Sequence, residues 1–139
     1  MKKSIGITGI TGTVGKVLEK HLSDDYSIIG YRREDLNLAK LSDCLEKIRN
    51  IDVLIHLAWA REVGFLNELM DTDDFAMVYN IYHTAKTNHI PRVIMASSIH
   101  ADDYMTWNKS SQMNPYSLPV PDSPYGAAKV YMEALGRYY

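Results

Sequence analysis

The sequence predicts an α/β fold in which a doubly wound parallel sheet lies between two layers of helices (three-layer αβα), within one domain of 139 residues. Three observations predict it. Short runs rich in β-branched residues alternate with helical stretches, a loop with glycines three apart follows the first run, and an apolar run at 51–60 resembles a strand buried on both faces. Strands alternating with helices in this way pair in parallel through right-handed crossovers.

The first half of the chain contains two strands and two helices by these criteria. A strand is expected at 3–8, and a helix at 13–22 follows the glycines. A second strand at 26–31 leads through a short extended piece at 34–36 into a helix at 41–49. That helix places Leu41, Leu45 and Ile48 on one face.

The second half continues the alternation. A buried strand is expected at 51–57 and a helix at 73–88, and Pro91 marks the turn into another buried strand at 92–97. Pro124 is favoured in a first helical turn, so the last helix runs from there to the end. The chain thus supplies about five strands. Ligands of such sheets bind beyond the carboxyl ends of the strands.

The composition excludes several classes of partner. A formal net charge of −2 gives no attraction to phosphate backbones or anionic lipids, so neither nucleic acid nor a membrane is expected. No apolar run is long enough for an export signal or a membrane span. Cys44 is the only cysteine, which favours a reducing, cytoplasmic location, and no cluster of metal ligands is visible.

The loop from Thr8 to Gly15 connects the first strand to the first helix. Its glycines allow a tight turn, close approach of a pyrophosphate and close helix packing, while the helix N-terminus presents free N–H groups. An ordinary strand-to-helix turn is the alternative. The position at the first strand of an alternating chain favours a Rossmann-type dinucleotide site, with contacts from Gly9, Thr11, Gly12, Thr13, Val14 and Gly15.

The end of the second strand indicates which nicotinamide cofactor binds. An acidic residue there would bind the adenosine ribose hydroxyl, but this strand ends in Arg32 and Arg33, whose guanidinium groups suit a 2′-phosphate. We therefore expect NADP in preference to NAD. The alternative is that both arginines are solvated and that Glu34 or Asp35 binds the ribose.

Tyr125 and Lys129 are four residues apart on the last helix, so they share a face. A tyrosine is a weak base unless a nearby cation stabilises its phenolate, and this pair provides one. Such pairs are also common on exposed helices. Ser98, at the end of the preceding strand, supplies a hydroxyl that can hold a reacting oxygen.

Together, the glycine loop, His56-Leu57-Ala58, Ala96-Ser97-Ser98 and the segment from Ser123 to Lys129 resemble the extended short-chain dehydrogenase/reductase family of the epimerase/dehydratase type. The loop spacing is that of its Thr-Gly-x-x-Gly-x-x-Gly pattern, and the resemblance covers the whole chain. More narrowly, 79–82 and 97–100 are similar to uronate dehydrogenases and their relatives.

The resemblance implies a role for each matching residue. Tyr125 would exchange the proton of a substrate hydroxyl while hydride passes to or from the nicotinamide, and Lys129 would bind the nicotinamide ribose. Ser98 would orient the substrate oxygen beside Ile99 and His100, although His100 could equally be a loop histidine. His56 is expected to be structural. Further cofactor contacts would come from Asp35, Leu36, Leu57, Ala58, Trp59 and Asn80.

The sequence departs from that pattern at several positions, and the departure at Ile99 bears on the substrate. Ile99 stands where uronate dehydrogenases have asparagine, and Asp74 stands where the family usually has asparagine. The expected substrate is therefore only a sugar, sugar acid or nucleotide-sugar, although a reductase of other carbonyls would use the same residues.

Members of the family continue for roughly as long again, so the chain is expected to lack the C-terminal substrate lobe. Val130, Leu135 and Tyr138 should then be exposed and favour homo-oligomers. A nucleotide-sensing module without turnover is the alternative function.

Overall fold

The computed structural model describes residues 2–59, 71–102, 116 and 118–139. In these ranges the chain forms four strands and four helices, with a 3₁₀ turn at Ile99–Ala101. In chain order the elements are β1 (Ser4–Thr8), α1 (Thr13–Leu22), β2 (Ser27–Tyr31), α2 (Leu41–Lys47), β3 (Val53–His56), α3 (Thr72–Thr87), β4 (Val93–Met95) and α4 (Pro124–Tyr138).

The four strands form one parallel sheet in the order β2-β1-β3-β4. Thr8 at the end of β1 is level with Tyr31 on one side and His56 on the other, so the carboxyl ends of three strands lie at one edge. This arrangement confirms the α/β fold with a doubly wound parallel sheet. It also places every loop that follows a strand above the same edge.

Each face of the sheet is covered by a cluster of apolar side chains, and these clusters allow helices to pack on both faces. On the α1 face, Ile5, Ile7 and Ile55 pack with Leu18 and Leu22. The opposite face packs against α2 and α3 through Leu36, Cys44, Ile48, Ile51, Leu54, Ile81, Ala85 and Ile90. Each fully buried side chain of this size stabilises the fold by roughly 1.5–3 kcal/mol. No helix in the described ranges is long and apolar enough to cross a membrane.

The extended piece expected at 34–36 is a turn, so that prediction was wrong. The N–H groups of Asp35 and Leu36 both donate to the carbonyl of Arg32, at 3.1 Å each. These groups are satisfied locally, and Leu36 is buried in the core from the loop. The described chain consequently has four strands rather than about five.

The strand expected at 92–97 is shorter and more exposed than predicted. β4 pairs with β3, and it forms an edge of the described sheet. Ile94 pairs with Ile55 and so faces the α1 side, where it is 47% exposed. The chain bends away after β4, although Ala96 N still donates to the His56 carbonyl at 3.2 Å.

Helix α4 exposes less apolar surface than the sequence suggested. Tyr138 is 75% exposed, as expected, but Val130 and Leu135 are partly buried. The reason is that α4 packs against α3, where the Tyr82 hydroxyl donates to the Met132 carbonyl at 3.2 Å. The ring of Phe75 on α3 also contacts that of Tyr131, with centroids 4.9 Å apart.

Candidate functional site

The glycine loop brings the backbone of β1 against the end of β3. Gly9 has φ of +69°, and a Cβ on it would lie 2.7 Å from the Ala58 nitrogen. A Cβ on Gly15 would lie 2.5 Å from the carbonyl oxygen of Gly9. The loop therefore needs glycine at both positions, one for its backbone conformation and one for the packing of α1.

Helix α1 presents its N-terminus above this loop. Gly12 is the N-cap residue, no side chain caps the helix, and its first turn carries no acidic residue. The Gly12 nitrogen donates to the Gly9 carbonyl at 3.0 Å, which holds the turn closed. Free N–H groups and the positive end of the helix dipole at such a position favour a phosphate.

A cavity of about 700 Å³ lies over the carboxyl ends of the strands. Nine of the residues predicted to bind the cofactor line it: Gly9, Thr11, Gly12, Arg32, Arg33, Leu36, Leu57, Ala58 and Trp59. The other predicted cofactor residues are outside the described lining: Thr13, Val14, Gly15, Asp35, Asn80, Tyr125 and Lys129. Its volume and its position above the glycine loop suit an extended phosphate-bearing ligand.

The cavity wall also contains residues that the sequence analysis missed, namely Tyr31, Asn37, Leu38, Ala39, Asp71, Asp73 and Met77. The Asn37–Ala39 segment directly follows Leu36 in the same loop, so extending the predicted cofactor contacts along that loop would have included it. The contribution of α3 had no comparable signal. It brings two carboxylates to the site, and Asp71 Oδ1 caps α3 by accepting from Asp73 N at 2.9 Å.

Asn80 supports the cavity from behind. Its buried side chain donates through Nδ2 to the Leu38 carbonyl at 2.9 Å. Leu38 itself lines the cavity, so Asn80 fixes the shape of that wall. A direct contact between Asn80 and a cofactor stays a prediction.

Thr8 and His56 join the adjacent ends of β1 and β3 beneath the cavity. The Thr8 Oγ1 atom lies 2.8 Å from His56 Nδ1 and accepts N–H groups from Leu57 at 3.2 Å and Ala58 at 3.4 Å. Burial, reinforced by the charge of Lys129, lowers the pKa of His56 from 6.5 to about 3. Within the described residues, His56 Nε2 is buried without a hydrogen-bond partner.

Lys129 is almost completely buried, with 4% of its surface exposed. Its ammonium donates to the Ala96 carbonyl at 2.8 Å and lies 3.4 Å from the centre of the Trp59 ring. Burial lowers the pKa of Lys129 from 10.5 to about 8, and the charge of Asp74 opposes part of that shift. The lysine is therefore held between a strand end and an aromatic face.

Tyr125 lies in the first turn of α4, where the sequence fixes the start of the helix. Pro124 occupies the first turn, and Ser123 Oγ caps the helix by accepting from Gly126 N at 3.1 Å. The Tyr125 ring is 5.4 Å from the Lys129 ammonium, as the spacing of four residues predicted. Its edge-to-face contact with Trp59 has ring centroids 5.7 Å apart.

On the other side of Tyr125 is the turn that follows β4. Ser98 Oγ caps this turn by accepting from His100 N at 3.3 Å. The His100 ring lies 5.9 Å from that of Tyr125, and its Nδ1 lies 2.6 Å from Asp122 Oδ2. His100 thus links Ser98 to Tyr125, whereas Ile99 is 70% exposed.

The turn and helix α4 are fastened to each other in two further places. A Cβ on Gly126 would lie 2.0 Å from the His100 carbonyl oxygen, so the two backbones approach closely. Ser97 Oγ donates to Glu133 Oε1 on the same helix. These contacts fix the position of the Ser98 strand end relative to Tyr125.

Residues 5–139 match the NAD dependent epimerase/dehydratase family. The chain is 31% identical to an L-arabinose 1-dehydrogenase (NAD(P)(+)) of Haloferax volcanii, over 97% of this chain and 60% of that enzyme. It is 25% identical to a uronate dehydrogenase of Pseudomonas syringae pv. tomato, over 96% of this chain and 52% of that enzyme.

The fold is also similar to solved structures. A UDP-N-acetylglucosamine 4-epimerase from Bacillus cereus superposes with a TM-score of 0.86 at 27% identity, covering 99% of this chain and 55% of that one. The chain thus spans between half and about three fifths of the length of these proteins.

Proposed function

This chain belongs to the NAD dependent epimerase/dehydratase family, and on that premise we propose that it is the nucleotide-binding part of an NAD(P)-dependent oxidoreductase or epimerase. The substrate would be a sugar, sugar acid or nucleotide-sugar. The observation that carries the proposal is the cavity above the glycine loop, with Tyr125 and Lys129 on the far side of its Trp59 wall.

The residues present fit a dinucleotide. The N-terminus of α1 and the glycine loop provide N–H groups for a pyrophosphate, and a Cβ on Gly12 would stand 3.2 Å from the Gly9 carbonyl oxygen, crowding this cradle. Arg32 and Arg33 line the cavity, at the end that we assign to the adenosine, whereas Glu34 and Asp35 are not in the described lining. NADP is therefore the proposed cofactor, with NAD as the alternative.

When bound, the nicotinamide accepts or donates the hydride. In the oxidation direction, Tyr125 takes the proton of the substrate hydroxyl as the C–H hydride leaves the same carbon, so that a C=O bond forms. Lys129 binds the nicotinamide ribose and supplies a positive charge beside the phenolate. Ser98 donates a hydrogen bond that orients the reacting oxygen.

The substrate would enter between Tyr125 and the turn after β4. The pair formed by His100 and Asp122 supplies a hydrogen-bonding group there, which suits the hydroxyl or carboxylate groups of a sugar. The exposed Ile99 adds an apolar contact in place of an amide. This difference separates the site from the Asn-containing pattern expected of uronate dehydrogenases, and it favours a neutral sugar over a uronate.

Two further properties belong to the proposal. Self-association through the α1 face of the sheet is proposed because Ile94 leaves apolar surface exposed there. A cytoplasmic location is proposed because the thiol of Cys44 is free and buried.

A nucleotide-sensing module is the second candidate, favoured by the absence of Tyr125 and Lys129 from the described cavity lining. The test is to titrate NADP⁺ and NAD⁺ and then assay uronates, aldoses and nucleotide-sugars with Tyr125→Phe. Tyr131→Phe, a change on the same helix against Phe75, is the matched control. If the parent and Tyr131→Phe turn over a substrate and Tyr125→Phe does not, the result supports the oxidoreductase or epimerase. If the parent binds the cofactor but turns over no substrate, the result supports the nucleotide-sensing module.

A further inference from the structure

Trp59 belongs to both parts of the site. It lines the cavity above the glycine loop, and its ring also contacts Tyr125 and Lys129. Trp59 therefore stands between the space that holds the adenosine and phosphate groups and the residues assigned to the chemistry.

The contact with Lys129 is a close one. The ammonium is 3.4 Å from the ring centre and donates to the Ala96 carbonyl on another side. Because Lys129 is buried, this cation–π contact is not weakened by bulk water. Trp59 is part of the described cavity lining and Lys129 is not, so the indole is the member of this contact that the cavity reaches.

We infer that Trp59 is a positioning residue that holds Lys129 through its indole ring, and that the nicotinamide half of the dinucleotide displaces this ring from Lys129. The inference rests on the proposed function. It implies that binding takes place in two parts, because the adenosine half fits the cavity while Trp59 is still in place. Only the complete dinucleotide has to break the contact between Trp59 and Lys129.

Trp59→Ala tests the inference by comparing two probes, adenosine 2′,5′-bisphosphate and NADP⁺, in calorimetric titrations. Removing the indole should raise the affinity for NADP⁺ by about tenfold relative to the affinity for the bisphosphate, the order of a buried cation–π contact. Bisphosphate binding also confirms that the variant is folded. Met77→Ala, which enlarges the same cavity from α3, should change both affinities alike.

A spectroscopic measurement checks the movement itself. Trp107→Phe removes the other tryptophan, which lies outside the described residues, and leaves Trp59 as the only one. Binding of NADP⁺ should shift the wavelength of the Trp59 emission maximum, whereas binding of the bisphosphate should not shift it. Quenching alone lowers the intensity of the emission without moving this maximum.

The outcomes separate the inference from the proposed function. The inference is wrong if Trp59→Ala leaves the affinity for NADP⁺, relative to that for the bisphosphate, unchanged or lower. It is also wrong if both probes shift the emission alike, because the Trp59 ring then stays in place when NADP⁺ binds. If the parent binds neither probe nor the matching pair AMP and NAD⁺, the proposed function fails and the inference fails with it.

Discussion

The hydroxyl oxygen of Thr8 lies 2.8 Å from Nδ1 of His56, and this buried hydrogen bond joins the ends of β1 and β3. The Thr8 oxygen also accepts the backbone N–H groups of Leu57 and Ala58. Burial disfavours the charged form of His56 and lowers its pKa to about 3, so the histidine is neutral. Neutral His56 joins β1 to β3 beneath the cavity without adding a positive charge next to Lys129.

The burial of His56 predicts that the fold loses stability in acid. Burial and the charge of Lys129 lower the pKa of His56 from 6.5 to about 3 in the folded chain, so only the unfolded chain takes up this proton between those values. The free energy of unfolding should fall as pH falls through that window, by up to about 1.4 kcal/mol per unit from this group. His56→Asn should reduce the slope measured by urea unfolding at about pH 7 and about pH 5.

The exposed His21 on α1 provides the control. His21→Gln should keep the slope of the parent. Equal slopes in the parent and His56→Asn would show that His56 titrates normally.

Arg32 is expected to set the choice between NADP and NAD. Arg32→Glu should lower the affinity for NADP⁺ by about tenfold to a hundredfold, because a charge-assisted hydrogen bond to phosphate contributes about 1.5–3 kcal/mol. The affinity for NAD⁺ should stay the same or rise. Arg92→Glu makes the same charge change at the exposed start of β4 and should alter neither. An equal loss for both cofactors would contradict the assignment.

Asp122 is expected to act on the substrate through His100. The carboxylate accepts from His100 Nδ1, which fixes the proton on that nitrogen and the orientation of the ring. Asp122→Asn should lower kcat/KM by about tenfold and leave the dissociation constant of the cofactor unchanged. Asp102→Asn is the matched control, since Asp102 in the same region accepts only from the Val120 N–H among the bonds described for it. Parallel losses in kcat/KM for the two variants would indicate a general effect on the loop.

Ile94 is expected to contribute to self-association. It faces the α1 side of the sheet and is exposed at the edge strand. The chain should associate at micromolar concentrations in sedimentation velocity experiments, and Ile94→Thr, which keeps a β-branched side chain, should weaken the association. Tyr138→Ser, at an exposed position on α4, should have a smaller effect. A parent that sediments as a monomer would rule out this interface.

The parallel α/β sheet and the glycine loop could be predicted because local sequence encodes them. Glycine spacing indicates a positive φ and close backbone approaches; the structure shows the positive φ at Gly9 and the close approaches at both Gly9 and Gly15. The spacing of Tyr125 and Lys129 likewise placed them on one helical face. The piece at 34–36 could not be assigned, because a single apolar residue among charged ones fits a turn and an edge strand equally.

The contacts that shape the site come from residues distant in sequence, which explains why they were missed. Asn80 binds the carbonyl of Leu38, and His100 pairs with Asp122, 22 residues further along. The position of Trp59 over Lys129 depends on how the ends of β3 and β4 meet α4. Periodicity identifies the face of an element but not its tertiary neighbour.

The most direct test of the whole account is calorimetric titration of the chain with NADP⁺ and NAD⁺, compared with Gly12→Ala. We expect the parent to bind one dinucleotide per chain and the variant to bind at least about tenfold more weakly, because its methyl group crowds the phosphate cradle. The unfolding free energy of the variant should change by no more than about 1 kcal/mol. A parent that binds neither dinucleotide, or a folded Gly12→Ala variant that binds as tightly as the parent, would contradict the account.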